Sequence, residues 1–185
     1  MSRRPAASLV RILAGAWKGR RLDVPEGARP TSSRARAALF DLLGPDRIDG
    51  ARFLDVFAGT GAVGLEAVSR GAAEAVLLEA DPRAIARTLD RLGEPGERVR
   101  LVPGPATSAL AALARGDERF DVVFADPPYA RASDGELGRA AVLLAPAGLL
   151  VVQTDAPGAP ATPPGTRPLR ARAYGRNVFH FFEIL

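Results

Sequence analysis

The chain has 185 residues, 47% of them hydrophobic and 25% charged, with a net charge of +4; this is the size and balance of one folded domain with a sizeable core. It has no cysteine and one histidine, which excludes disulfides, cysteine-ligated zinc and thiol nucleophiles and argues against a metal site. No apolar run approaches the ~20 residues of a membrane span, and the start lacks the apolar stretch of a secretory signal, so a cytoplasmic protein without a membrane partner is expected.

The positive charge is concentrated at the beginning. Through residue 36 there are nine basic residues, Arg3, Arg4, Arg11, Lys18, Arg20, Arg21, Arg29, Arg34 and Arg36, against Asp23 and Glu26. The remainder is mildly acidic. Such a distribution fits a segment that meets a polyanion, and it equally fits a solvated arginine-rich surface. Within this segment Val10 to Gly15 and Arg20 to Val24 read as short strands around Ala16-Trp17-Lys18-Gly19, a hairpin. Pro25 to Pro30 reads as a loop. Thr31 or Ser32 can then cap a helix to about Leu43, with Leu39, Leu42 and Leu43 on one face and Arg34 and Arg36 elsewhere.

From residue 52 the rhythm changes. Short apolar runs at Arg52–Ala58, Ala75–Glu79, Val99–Pro103, Val122–Ala125 and Leu149–Gln153 alternate with helix-compatible stretches at about 62–70, 82–92, 106–115 and 134–144. Unalternated apolar strands separated by helices predict a doubly wound, mostly parallel α/β sheet covered on both faces. Ala156–Gly165 reads as a loop. Pro168–Tyr174 and Asn177–Leu185, separated by Gly175-Arg176, predict a closing antiparallel hairpin. His180 lies in an apolar run and reads as a structural strand residue. The expected organisation is one domain over 1–185, a basic N-terminal extension (1–50) joined to a catalytic core (51–185).

The first core strand leads into Gly59-Thr60-Gly61-Ala62-Val63-Gly64, with Glu79 twenty residues after Gly59 at the end of the second strand. This spacing fits a dinucleotide site as well as a methyl-donor site. The glycines let backbone approach a ligand, the helix N-terminus offers N–H groups to an anionic end, and Glu79 can accept from ribose hydroxyls. Asp55 separates the readings. A carboxylate just before the loop suits a ligand with an ammonium group and opposes a pyrophosphate. The expected cofactor-binding residues are Asp55, Ala58, Gly59, Thr60, Gly61 and Glu79.

The fourth core strand delivers Asp126-Pro127-Pro128-Tyr129 at its carboxyl end, where open α/β sheets bind ligands. Two prolines stiffen the loop and turn carbonyls outward. A carboxylate beside a fixed carbonyl can hold both hydrogens of an exocyclic base amine and aim its lone pair at a methyl donor. Tyr129 offers a ring on which the base can stack. Asp126, Pro127 and Tyr129 are therefore the expected catalytic residues. Transfer to a pyrimidine carbon would normally need the cysteine that the chain lacks.

Asp126-Pro-Pro-Tyr129 resembles the signature of amino-methyltransferases acting on adenine, cytosine or guanine. Arg11-Ile-Leu-Ala-Gly15, Trp17-Lys-Gly-Arg20, Arg29-Pro-Thr31, Arg34-Ala-Arg-Ala-Ala-Leu-Phe40, Gly64-Leu-Glu-Ala67, Ser69-Arg-Gly71 and Tyr174-Gly175 resemble the bacterial small-subunit rRNA guanine-N2 methyltransferases. The resemblance covers about residues 10–185. It implies a Rossmann-like class I methyltransferase fold, S-adenosylmethionine as cofactor, and a monomer that methylates a guanine N2 of 16S rRNA within the small ribosomal subunit. It also implies RNA contacts from Arg11, Lys18, Arg20, Arg21, Arg29, Arg34 and Arg36. Ser33, Ala37 and Thr88 depart from the family pattern, as does Pro105, which stands where Asp or Asn usually faces the cofactor's adenine. Competing readings are an amino-methyltransferase on DNA adenine or tRNA guanine, a nicotinamide-dependent oxidoreductase, and a non-catalytic RNA-binding protein of the same fold.

Overall fold

The computed structural model describes residues 10–25, 31–93, 97–127, 134–155 and 159–185. In chain order these form β1 (Val10–Arg11), β2 (Arg21–Leu22), α1 (Ser33–Leu43), a short 3-10 turn (Pro45–Arg47), β3 (Arg52–Asp55), α2 (Ala62–Ser69), β4 (Glu74–Glu79), α3 (Arg83–Leu92), β5 (Val99–Pro103), α4 (Ala106–Arg115), β6 (Phe120–Ala125), α5 (Asp134–Val142), β7 (Leu144–Asp155), β8 (Thr166–Tyr174) and β9 (Asn177–Ile184). β1 and β2 pair antiparallel as a hairpin. The remaining strands form one seven-stranded sheet in the order β5-β4-β3-β6-β7-β9-β8. β5 through β7 are parallel, and β9 inserts antiparallel between β7 and β8. This is the Rossmann-like α/β architecture expected from the alternating apolar runs, with both terminal hairpins in place.

The sheet separates two apolar layers. On one face Phe53, Val122, Phe124, Val151, Phe179 and Phe181 pack with Leu39 and Phe40 of α1, Leu65 and Val68 of α2 and Ile85 of α3. On the other, Leu54, Val76, Val123 and Val152 pack with Leu110 of α4 and Leu137 and Ala140 of α5. Val10, Ile12, Trp17 and Leu22 of the N-terminal hairpin belong to the first layer, so that hairpin is part of the fold's interior. Strand order reverses between β3 and β6, and the carboxyl ends of these strands open the crevice where such sheets bind ligands.

Two expectations change. β7 runs from Leu144 to Asp155 where 149–153 is predicted, and its early start carries Ala145-Pro146-Ala147-Gly148 through an irregularity in the β6 pairing. Arg36, which the resemblance assigns to RNA, is fully buried. Its Nε lies 3.5 Å from Glu66 Oε2, another fully buried group, and its Nη2 donates to the Arg11 carbonyl. A guanidinium enclosed by α1, α2 and the hairpin cannot reach a phosphate. Arg36, Leu39, Phe40 and Leu43 together make the inward stripe of α1.

Glu66 is the anchor of that region. Its two oxygens accept from the backbone N–H groups of Leu13 (2.7 Å) and Ala14 (2.9 Å), and Arg70 Nε donates to it at 2.8 Å. One turn later Ser69 Oγ accepts from Trp17 N at 2.9 Å and donates to the Ala14 carbonyl at 2.6 Å. Gly15 lies against this seam with φ +80°, and a Cβ there would meet the Ser69 carbonyl oxygen at 1.7 Å. Thr88, another departure from the family pattern, is buried and accepts from Asp23 N at 2.9 Å, which ties the end of the hairpin to α3.

Candidate active site

Three carboxylates gather at the carboxyl ends of adjacent parallel strands: Asp55 on β3, Glu79 on β4 and Asp126 after β6. Backbone pairing continues past β3, with Val56 N donating to the Phe124 carbonyl (2.9 Å) and Ala58 N to the Leu78 carbonyl (3.0 Å). That pairing fixes where the glycine loop begins. Gly59 and Gly61 have φ of +55° and +72°, a region that a side chain disfavours, and none of the described residues lies within 4 Å of a Cβ position at Gly59. The loop thus turns into α2 while leaving space above its first glycine.

Asp55 is buried. Its Oδ2 accepts from Gly64 N at 3.1 Å, whereas Oδ1 has no hydrogen-bond partner among the described residues. Burial pushes its pKa up to about 7, the Gly64 hydrogen bond opposes this, and the charges of Asp126 and Glu79 add to it. Glu79 accepts from Gly59 N (2.7 Å) through one oxygen and from Asp81 N (3.0 Å) through the other, so it stiffens the loop it faces. Thr60 is buried and its Oγ1 accepts from Ala62 N at 3.3 Å; the Ala58 carbonyl accepts from Gly61 N at 2.7 Å. The amides of Ala62 and Gly64 are therefore engaged with Thr60 and Asp55, and are not the open anion-binding N–H groups expected of this helix start. The cluster thus combines a buried carboxylate oxygen without a partner among the described residues, two further acids and an open glycine turn, an arrangement that can receive a cation.

Asp126 is partly buried. Its Oδ2 accepts two hydrogen bonds of 3.0 Å, from Thr31 Oγ1 and from Gln153 Nε2. Burial raises its pKa to about 6, with the Thr31 hydrogen bond opposing and the charge of Asp155 adding. The sequence reading identifies neither partner. Thr31 belongs to the segment entering α1, where Ser32 is the helix cap, accepting from Ala35 N at 3.1 Å. Gln153 ends the apolar run of β7, and that placement, a polar residue at the carboxyl end of a buried strand, is the signal that could have found it. Pro127 follows Asp126; Tyr129 and Arg29 lie outside the described residues. Arg11, Lys18, Arg20, Arg21 and Arg34 are all exposed. Pro105 precedes α4, and its carbonyl accepts from Ser108 N and Ala109 N, both at 3.1 Å. That carbonyl serves the helix and is not a spare acceptor for an adenine amine. His180 lies on β9 with Nε2 3.1 Å from Thr154 Oγ1, and burial lowers its pKa, in keeping with a structural strand residue.

The family described as Conserved hypothetical protein 95 matches residues 10–183, nearly the whole chain. The chain belongs to that family. Over 128 residues it is 43% identical to the Escherichia coli K12 protein named ribosomal RNA small subunit methyltransferase D, a match covering 66% of this chain and 61% of that relative. The Haemophilus influenzae protein of the same name is 38% identical over 125 residues, covering 65% and 64%. The chain thus spans about three-fifths of the length of these curated relatives. Among solved structures, a hypothetical protein of Thermus thermophilus superposes with a TM-score of 0.75 at 42% identity, a match covering 95% of this chain and 99% of that one.

Proposed function

We propose that this family member transfers a methyl group from S-adenosylmethionine to the exocyclic N2 amine of a guanine in 16S rRNA, with the small ribosomal subunit as its partner. The observation that carries the reading is the convergence of Asp55, Glu79 and Asp126 around an open glycine turn, an acidic cluster that suits a cationic donor and disfavours a pyrophosphate. The names of the relatives support the coarser part of it, methyl transfer to small-subunit ribosomal RNA. S-adenosylmethionine, when bound, supplies an electrophilic methyl group on sulfur. Asp55, with a carboxylate oxygen that has no hydrogen-bond partner among the described residues, would meet its amino-acid end, Glu79 would accept from its ribose hydroxyls, and Ala58 to Gly61 would let the backbone close on it.

Asp126 has the other half of the work. Both of its described hydrogen bonds end on Oδ2, so the carboxylate is held in one orientation for the target amine. One amine hydrogen goes to the carboxylate and one to the Pro127 carbonyl, which takes the nitrogen lone pair out of conjugation with the ring. As the new N–C bond forms, positive charge develops beside a carboxylate already in place, and Asp126 can take up the proton that nitrogen must lose. Tyr129 supplies the stacking ring.

The test is incubation with tritiated S-adenosylmethionine and, separately, naked rRNA, undermethylated small subunits, tRNA and DNA, followed by nucleoside analysis. N2-methylguanine from the ribosomal samples is expected. N6-methyladenine, or label confined to tRNA or DNA, overturns the substrate. Asp126→Ala should abolish transfer and leave cofactor affinity nearly intact; full activity in that variant removes Asp126 from the mechanism.

A further inference from the structure

β8 is the edge strand of the sheet, exposed from Arg167 to Tyr174. It contains three arginines and is followed by Arg176 in the turn to β9. Two of these four are used by the fold: Arg167 pairs with Glu183 at 3.0 Å, and Arg170 lies 4.6 Å from the Phe181 ring centre and donates to the Leu42 carbonyl at 2.8 Å. The two nearest the turn are not. Among the described residues Arg172 makes one hydrogen bond, to the carbonyl of neighbouring Ala171, and Arg176 has no ion pair. Tyr174 between them is 47% exposed.

The register puts these residues on the face of Asp126. Directly paired residues in adjacent antiparallel strands point to the same side. Gln153 pairs with Phe179, which pairs with Arg172; Asp155 pairs with Asn177, which pairs with Tyr174. Gln153 Nε2 donates to Asp126 and also lies 3.5 Å from Asn177 Oδ1. A row of side chains thus leads from the catalytic carboxylate to the edge strand, with β8 about 10 Å beyond β7 by ordinary strand spacing.

We infer that Arg172, Tyr174 and Arg176 form a second RNA contact surface, one that holds nucleotides flanking the target base on the Gln153 side of Asp126, beyond β7 and β9. Charge complementarity selects the occupant: guanidinium groups with spare N–H donors meet phosphates, and an exposed tyrosine ring accepts a base face. Asp155, in register with Asn177, repels phosphate from β7 and leaves β8 and its turn as the favourable track. Protection of a sheet edge explains charged residues on β8, but it does not require an exposed tyrosine or spare cations gathered at the end nearest the site.

The inference rests on the proposed RNA substrate, and its test separates the two. The full chain, the Arg172→Ala/Arg176→Ala double variant, Tyr174→Ala and the control Arg167→Ala are compared for equilibrium binding to in-vitro-transcribed 16S rRNA and for KM in methyl transfer to undermethylated small subunits. The double variant should raise KM and the RNA dissociation constant roughly tenfold, and the slope of log affinity against log salt should fall by about 1.4, two phosphate contacts at about 0.7 each. Tyr174→Ala should weaken binding with the salt slope unchanged, Arg167→Ala should change neither, and cofactor affinity should be constant throughout. Unchanged affinity and slope in the double variant overturn the inference, as does increased aggregation with RNA affinity intact, the mark of edge protection alone. Absence of methyl transfer by the parent protein overturns the proposed function instead, and binding to the transcript then decides the hairpin by itself.

Discussion

Replacing Asp126 by asparagine is expected to stabilise the protein while removing its activity. The Asp126 carboxyl is raised from the ordinary 3.8 to about 6, chiefly by burial, so keeping it charged costs the folded state free energy. At about 1.4 kcal/mol per pH unit, that cost approaches about 3 kcal/mol once both folded and unfolded forms are ionised. A folded pKa above the unfolded one means that the penalty is absent below about pH 4, grows between about pH 4 and 6, and is constant above. Asparagine retains an acceptor oxygen for Thr31 Oγ1 and Gln153 Nε2, so the substitution removes charge and keeps both contacts. Urea denaturation of parent and Asp126→Asn from pH 4 to 8 should show equal stabilities at the acid end and a gain of up to about 3 kcal/mol at neutrality. Equal stabilities at pH 7.5, or a gain undiminished at pH 4, would refute burial of the charge as its source.

Asp55, raised to about 7, must be ionised to meet an ammonium group. Cofactor affinity should therefore rise as pH increases through about 7, with proton release in calorimetry across buffers; Asp55→Asn should bind weakly and lose that dependence. Thr31→Val removes one donor that lowers the Asp126 pKa, so the acid limb of the kcat profile should move to higher pH, and an unmoved limb would count against this contact. Glu66→Ala leaves a buried guanidinium and two hairpin amides without their acceptor, and should cost about 3–5 kcal/mol in chemical denaturation. Pro105→Asp puts a capping side chain where α4 has none; a gain of about 1 kcal/mol is expected in the same assay, with tighter cofactor binding by calorimetry.

The core of this fold is legible in the sequence because its signals are local. β5 and α4 fall on the expected residues, and the glycine loop, Asp55, Glu79 and Asp126 come together because each ends a strand whose apolar run is plain in the sequence. What stays hidden depends on distant partners. Arg36 sits on the apolar stripe of α1, so its spacing hints at burial, yet the acid that receives it is thirty residues away on α2. Thr31 and Gln153 are 95 and 27 residues from the carboxylate they orient, and local spacing does not reveal such pairs. The start of β7 is missed because proline and glycine usually end a strand, so the expected strand begins only after Gly148.

The Glu66 anchor bears on how this protein can be dissected. A fragment beginning at residue 51 would not be a bare catalytic unit: it would leave Glu66 buried beside an empty groove once filled by Val10, Ile12, Trp17 and Leu22. It would also lose Thr31, and with it one of the two hydrogen bonds that Asp126 accepts among the described residues. Grafting the hairpin onto another Rossmann-like fold faces the converse problem, because the recipient helix would need an acid and a serine one turn apart to receive it. Whatever the surface of this hairpin binds is thus inherited together with the interior of the fold, and cannot be exchanged as a separate module.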